Sequence, residues 1–494
     1  MEKKRIYLII LGILIVLIIA GLAFSHSLTG FVINDGQSSD VATMSDSMCK
    51  DCNVILVSLD TLRADHLPCY GYDRNTAPNL CKYAENSYQF NNLYSVAPQT
   101  LLVHMSLFTS LYPAVHGVLN PDSVLANDKV TLAETLKSAG YKTAGFVDGG
   151  YLDASFGYSQ GFDNYTNVGY LSSSVPNAYN FMKNNEDNKF FLFLHTFEIH
   201  ANDINQSKQV YYSPEPYNSA FLRNKSFEFD GCMDSAKNVC AAPLLYGINS
   251  MIDRYNKSIG DYLSKPELNY LEDTYDGGIL SADAQLQLLF NDLDKLNLSK
   301  KTIVIITADH GEEFGEHGKL SHTQLYDNLL HVPLIIHMPG QDKGKKISDS
   351  LITSVDVMPT ILDMVRVGNI SKLQGFSFTN LMSSTRTGNL REYVYSNYGN
   401  EYNRPNVSSI RSEDWKFLYS LTNRSKAELY NLKKDPLEQN NVIDQYPEVA
   451  KDLAQKISDQ IKENSVFLKN YNGVSVQQPS SELLDQLKGL GYIN

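Results

Sequence analysis

Apolar and polar positions divide the chain into four stretches. Lys3, Lys4 and Arg5 precede an uninterrupted apolar run from Ile6 to Phe24. A run of that length crosses a bilayer as a helix. Positive charge on the short N-terminal flank places that flank in the cytoplasm and the body outside. A cleaved signal peptide is the alternative, because Ala20-Gly-Leu-Ala23 is small enough for cleavage. Both readings export the body. We take residues 1–25 as a transmembrane anchor. Residues 26–52 are polar and aperiodic, as in a tether. From Asn53 onward, short apolar runs alternate with amphipathic stretches. Residues 53–59, 189–194, 301–307 and 332–336 are apolar on both faces, which predicts strands of a helix-covered parallel sheet. Residues 281–296 show helical spacing, with Leu286, Leu289, Phe290 and Leu293 on one side. The stretch from Pro98 to Pro113 reads as a loop entering a helix.

These elements predict a doubly wound α/β domain over 53–385. Residues 202–265 interrupt it as an Asn-, Ser- and Tyr-rich insertion. A smaller C-terminal subdomain over 386–494 carries a strand at Trp415–Tyr419 and a polar helix from about Pro447 to Asn464.

The net charge of −13 and the absence of a basic cluster argue against a nucleic-acid partner. An anionic substrate must be met by a local positive site. The six cysteines fall in three close pairs, Cys49/Cys52, Cys69/Cys81 and Cys232/Cys240. In an exported protein this predicts three local disulfides.

The candidate chemistry sits at strand ends. Asp60 follows the first buried run, and Asp309 with His310 follows another. Ligands of open parallel sheets bind beyond the carboxyl ends of the strands. Two carboxylates and an imidazole at one edge suit a divalent cation. A single Asp after a strand is also a common helix cap, a reading that fits the crowded Asp309-His310-Gly-Glu-Glu313 less well. His104, His116, His195, His200, His310, His317 and His322 all lie near strand ends or in the 100–120 region. Thr100 stands at a helix start, where a hydroxyl faces free N–H groups. It is either a cap or, beside a metal, a nucleophile.

Ordered motifs from about residue 53 to 494 resemble the sulfatase family of the alkaline-phosphatase superfamily. They are Val57-Ser-Leu-Asp-Thr-Leu-Arg-Ala-Asp-His66, Ser106-Leu-Phe-Thr-Ser-Leu-Tyr-Pro113, Leu194-His-Thr-Phe-Glu-Ile-His200 and Thr307-Ala-Asp-His-Gly-Glu-Glu-Phe-Gly-Glu-His-Gly318. His331-Val-Pro-Leu-Ile335, Ser354-Val-Asp-Val-Met-Pro-Thr360 and Glu428-Leu-Tyr-Asn-Leu432 continue the match. The resemblance implies a large mixed sheet between helices and a small C-terminal α+β unit. It also implies ester hydrolysis.

Two departures bear on the chemistry. The family's Cys or Ser, followed by x-Pro-Ser-Arg and converted to formylglycine, is replaced by Thr100 with Leu102, Val103 and His104. Thr is not a substrate for that conversion, which argues against a formylglycine cofactor. The family's second Asp after the first strand is Thr61. The remaining set of Asp60, Thr100, Asp309 and His310 resembles the single-metal, Thr-nucleophile sites of phosphoester hydrolases and phospho-alcohol transferases in that superfamily. It implies one divalent ion, Ca²⁺, Mg²⁺ or Mn²⁺, with Zn²⁺ also compatible. His200 and His322 are then candidate catalytic groups. With His104 and Lys319 they are also candidate contacts to the anion. The expected substrate is a sulfate or phosphate ester on an extracellular glycan or lipid. The alternatives are a phosphoglycerol- or phosphoethanolamine-type transferase, or an inactive surface protein on the same fold.

Overall fold

In a computed structural model the described residues are 48–201, 209–227, 229, 242–348, 350–368, 372–383, 390–398, 407–420, 427–471 and 475–476. The anchor over 1–25, most of the tether and the Cys232/Cys240 pair lie outside them. Among the described residues no helix is long and apolar enough to cross a membrane. Cys49 is bonded to Cys52 and Cys69 to Cys81.

The 53–59 run forms the strand Asn53–Leu59, buried at every position. β-Branched and leucine side chains fill both of its faces, so it sits at the centre of a nine-stranded sheet. Its neighbours are Phe190–Thr196 and Thr302–Thr307, both parallel to it. Lys142–Val147 and then Asn164–Asn167 extend the sheet on one side, again parallel. On the other side His331–His337 runs antiparallel to both Thr302–Thr307 and Tyr88–Tyr94. The all-parallel expectation for the 332–336 run is therefore corrected, and the sheet is mixed. A continuous apolar run reports burial on both faces, which any interior strand has whatever its direction.

Helices pack in two groups, and each covers one face. Leu171–Asn184 and Pro78–Ala84 pack on the long helix Lys265–Lys295. That helix contains nearly all of the predicted 281–296 stretch and begins more than four turns before it, behind a Ser264 capping box. Thr100–Thr109, Leu132–Ser138 and Val357–Met364 form the other group. Truncating a core side chain here, such as Leu56 or Ile305 (both fully buried), costs about 2–5 kcal/mol.

The C-terminal subdomain is a four-stranded antiparallel sheet in the order Val394–Tyr398, Val407–Arg411, Trp415–Ser420, Glu428–Asn431. The helix Pro447–Leu468 lays Ala450, Leu453 and Ile457 on Ile410, Phe417 and Leu429.

Candidate active site

Three adjacent parallel strands bring acidic and imidazole groups to one edge of the sheet. Asp60 directly follows the central strand. Asp309 lies just beyond Thr302–Thr307 on one side of it, and His195 is paired with Ser58 on the other. All are fully buried, as is His310. Thr100 begins the helix Thr100–Thr109 and points back at the strand ends. Gln99 is the residue that caps this helix by position, without a side-chain bond, so the capping reading of Thr100 is removed.

The distances are those of one cluster. Thr100 Oγ1 lies 3.1 Å from Asp60 Oδ2 and 3.5 Å from His310 Nε2. His310 Nε2 is 3.5 Å from Asp309 Oδ2 and 3.9 Å from Asp60 Oδ1. Asp60, Asp309 and His310 form one trio whose potential ligand atoms all lie within 4.8 Å of one another. His310 Nδ1 lies 2.9 Å from the Gly311 carbonyl oxygen, which makes Nδ1 the protonated nitrogen and leaves Nε2 as the ligand atom. Residue 311 must be glycine, because a Cβ there would come within 2.0 Å of the Asn328 carbonyl oxygen.

Asp60 Oδ1 and Asp309 Oδ2 are buried and accept no hydrogen bond. Burial, and then the charge of Asp309, raise the Asp60 carboxyl well above its usual range. Burial opposes ionisation of Asp309 as well, but His310, His104 and His195 outweigh it and hold that carboxyl low. Two orphaned, buried carboxylate oxygens beside an imidazole nitrogen fit a divalent cation. The family in general binds one, and this donor set can hold it.

Thr61 adds strain at the same point. Its φ of 60° is left-handed, a costly conformation for a β-branched residue, of the order of 1–3 kcal/mol. The turn aims its N–H at Asp309 Oδ1, 3.3 Å away, while Tyr275 Oη donates to its carbonyl at 2.7 Å.

His322 and His200 extend outward from the cluster. The His310 and His322 rings lie 4.5 Å apart and the His322 and His200 rings 5.2 Å. His200 is stacked on Phe197, with centroids 4.6 Å apart. Burial lowers His322 to about 4 and, with the neighbouring His322 and His310, holds His200 well below its usual value. Both rings are neutral near pH 7 in this environment. Tyr246, from the inserted segment, places its hydroxyl 3.1 Å from His322 Nε2.

Other predicted positions fall elsewhere. His104 Nε2 is 2.9 Å from Ser58 Oγ and its Nδ1 is 3.0 Å from the Thr100 carbonyl oxygen. With both nitrogens taken and no exposure, it braces the cluster from behind. That replaces its expected place as a substrate contact. The Lys319 ammonium contacts Asp253 and the Asn249 carbonyl. His116 binds the Leu102 carbonyl, and His317 stacks on Tyr326.

Sequence reading missed two groups. His195 stood among seven histidines with no mark of its own, and only the strand pairing puts it on Asp60. Glu312 lies buried, with its carboxylate 3.5 Å from His322 Nδ1, and burial raises it to about 8.

Comparison with known proteins identifies the family. The sulfatase family model matches residues 52–367. A second model, described as N-sulphoglucosamine sulphohydrolase, C-terminal, matches residues 315–464. The chain is 24% identical to an N-acetylglucosamine-6-O-sulfatase of Bacteroides thetaiotaomicron, covering 83% of this chain and 86% of that one. It is 30% identical to human arylsulfatase K over 41% of its length and 39% of the relative. A protein solved with its substrate D-glucosamine-2-N,6-O-disulfate superposes with a TM-score of 0.65 at 22% identity, covering 85% of this chain and 99% of that one. The phosphonate monoester hydrolase of Agrobacterium radiobacter does so at 0.66 and 18%, covering 87% and 100%. With nearly two thirds of its length matched by the family model, the chain belongs to the sulfatase family and is a sulfuric ester hydrolase.

Proposed function

We propose that the chain hydrolyses a sulfate ester on an extracellular amino-sugar glycan, using Thr100 as nucleophile at a metal centre of Asp60, Asp309, His310 and the Thr100 oxygen. The observation that carries this reading is the position of Thr100 Oγ1, 3.1 Å from Asp60 Oδ2 and 3.5 Å from His310 Nε2. A bound divalent ion would neutralise the carboxylates, acidify the threonine hydroxyl and draw charge from the ester.

The remaining work falls to the side chains. Asp60 accepts the Thr100 proton as the Thr100 oxygen attacks sulfur in line. The sulfur–oxygen bond to the sugar alcohol breaks as the new one forms. The neutral His322 and His200 rings lie outward of the cluster, where a ring N–H can hydrogen-bond the leaving oxygen, which takes its proton from water. Water then displaces the sulfate from Thr100 and restores the hydroxyl. The free N–H groups at the start of the Thr100–Thr109 helix favour the anion. The amino-sugar class is suggested by the N-acetylglucosamine-6-O-sulfatase relative and by the glucosamine disulfate bound to a protein of the same fold.

Export is part of the same reading. The N-terminal apolar run anchors the chain with the body outside, and the Cys49–Cys52 and Cys69–Cys81 disulfides suit an oxidising compartment.

A second reading, phosphate or phosphonate monoesters, draws on the phosphonate monoester hydrolase fold match and on the threonine in place of formylglycine. One panel separates them. Sulfated N-acetylglucosamine, nitrophenyl sulfate, phosphate mono- and diesters and a phosphonate ester are tested with Ca²⁺, Mg²⁺, Mn²⁺ and Zn²⁺, with and without acceptor alcohols. Sulfate release from the amino sugar sustains the first reading. Turnover confined to phosphorus esters moves the assignment to the second. Turnover that requires an acceptor makes the protein a transferase, and none at all makes it an inactive surface protein.

A further inference from the structure

His195 is the penultimate residue of the Phe190–Thr196 strand, in register with Ser58. Its Nδ1 lies 3.0 Å from the Asp148 carbonyl oxygen. A carbonyl only accepts, so Nδ1 carries the hydrogen. Nε2 then points at Asp60 Oδ2 from 3.1 Å. That contact sets the ring's Nε2 and a carboxylate oxygen of the proposed metal centre side by side, where one cation would draw on both atoms.

The spacing has the same meaning. An ion about 2.1 Å from each donor holds neighbouring donors about 3 to 3.5 Å apart. The separations run from His195 Nε2 to Asp60 Oδ2 at 3.1 Å, on to Thr100 Oγ1 at 3.1 Å and to His310 Nε2 at 3.5 Å. His195, His104 and Asp309 also form a trio with ligand atoms within 4.8 Å of one another. His104 spends both nitrogens on Ser58 and the Thr100 carbonyl, so His195 is the imidazole of that trio with a ring nitrogen aimed at the carboxylates.

We propose that His195 is a further ligand of the metal centre, and that the resulting two-imidazole donor set selects Zn²⁺, Co²⁺ or Fe²⁺ over Ca²⁺ and Mg²⁺. This rests on the metal-centre reading above and deepens it.

The test is metal titration into the full metal-free chain, with Co²⁺, Zn²⁺ and Ca²⁺, for the wild type, His195→Gln and Asp309→Asn. The wild type should bind one Co²⁺ with a visible ligand-field spectrum and should bind Zn²⁺ more tightly than Ca²⁺. His195→Gln should weaken Co²⁺ and Zn²⁺ by at least the roughly 10-fold that losing even an outer partner costs, alter the Co²⁺ spectrum and leave Ca²⁺ unchanged. An unchanged Co²⁺ affinity and spectrum overturns the proposal. Equal weakening for all three ions also overturns it, because that marks a residue that only holds Asp60 in place. Failure of the metal-centre reading looks different: the wild type binds nothing, or Asp309→Asn binds as the wild type does. Should His195→Gln not fold, pulsed EPR of the Cu²⁺-loaded wild type decides, since two coupled imidazoles support the proposal and one refutes it.

Discussion

Two of the clusters of buried charge among the described residues are built on opposite terms. At the junction of the main sheet and the C-terminal subdomain, fully buried Lys416 sits 2.6 Å from Asp327 and 2.9 Å from Glu438. Arg411 binds the second Asp327 oxygen at 3.0 Å, and Glu438 accepts the Asp327 N–H at 2.6 Å. Each negative group has a cationic partner in the chain. At the strand ends, Asp60 and Asp309 have imidazoles, a threonine and two bare oxygens, with no lysine or arginine among them. A buried ion pair is made to be closed. A buried set of carboxylates without a cation is a site that leaves room for one. That contrast separates structure from function here better than burial does.

The largest expected break is Thr100→Ala. It should lower turnover on the order of 10⁴-fold or more, because the attacking atom is gone. The change removes a hydroxyl whose partners are Asp60 and His310, so the metal-free melting temperature should stay close to that of the wild type. Near-full activity in this variant would remove the covalent mechanism.

Metal removal comes next. Exhaustive chelation should abolish activity, and restoring the ion at about 100 times its Kd should raise stability by about 2.7 kcal/mol. Thermal unfolding with and without metal measures this. The junction cluster predicts no metal response of its own, so Asp309→Asn should erase the shift entirely.

Breaking the junction tests the other half of the contrast. Lys416→Met leaves Asp327 and Glu438 facing each other and should cost about 3–5 kcal/mol in denaturant unfolding, with the active site intact in the protein that remains folded. Glu438 gives the same region a pH dependence. Burial, and then Asp327, raise it to about 7 against the opposing pull of Lys416. The folded protein therefore keeps a proton that the unfolded chain releases above the ordinary value of 4.5. Stability from this group is complete below 4.5 and is lost as pH rises to about 7. Glu438→Gln should flatten that slope in melting curves taken across the window.

The two clusters were not equally legible. Asp60, Asp309 and His310 follow recognisable buried runs, and local sequence carries them. Thr100 reads locally as a helix cap as well as a nucleophile, and the resemblance to Thr-nucleophile sites favours the second; its 3.1 Å contact with Asp60 depends on the fold. His195 was hidden because its role depends on Ser58 lying beside it, a pairing between residues 137 positions apart. The pairing of Lys319 with Asp253 was illegible as well, since it joins residues 66 positions apart. The direction of His331–His337 was illegible for the same reason, since both-face burial is shared by parallel and antiparallel interior strands. The meeting of Asp327, Lys416 and Glu438 was illegible too, because it arises only through tertiary packing.

The finest test neutralises one carboxylate in each cluster. Asp60 is buried beside Asp309 with one oxygen unpartnered, so in the metal-free protein its charge opposes folding. Asp60→Asn keeps the shape, keeps an acceptor for Thr100 and removes the repulsion. It should raise metal-free stability slightly, by about 1 kcal/mol, while metal binding fails. Asp327→Asn removes a charge held by Lys416 and Arg411, leaves those cations uncompensated and should lower stability. The sign of the difference is the measurement. If both variants destabilise the metal-free protein alike, the strand-end cluster is closed internally as the junction is, and its bare oxygens are not awaiting a cation.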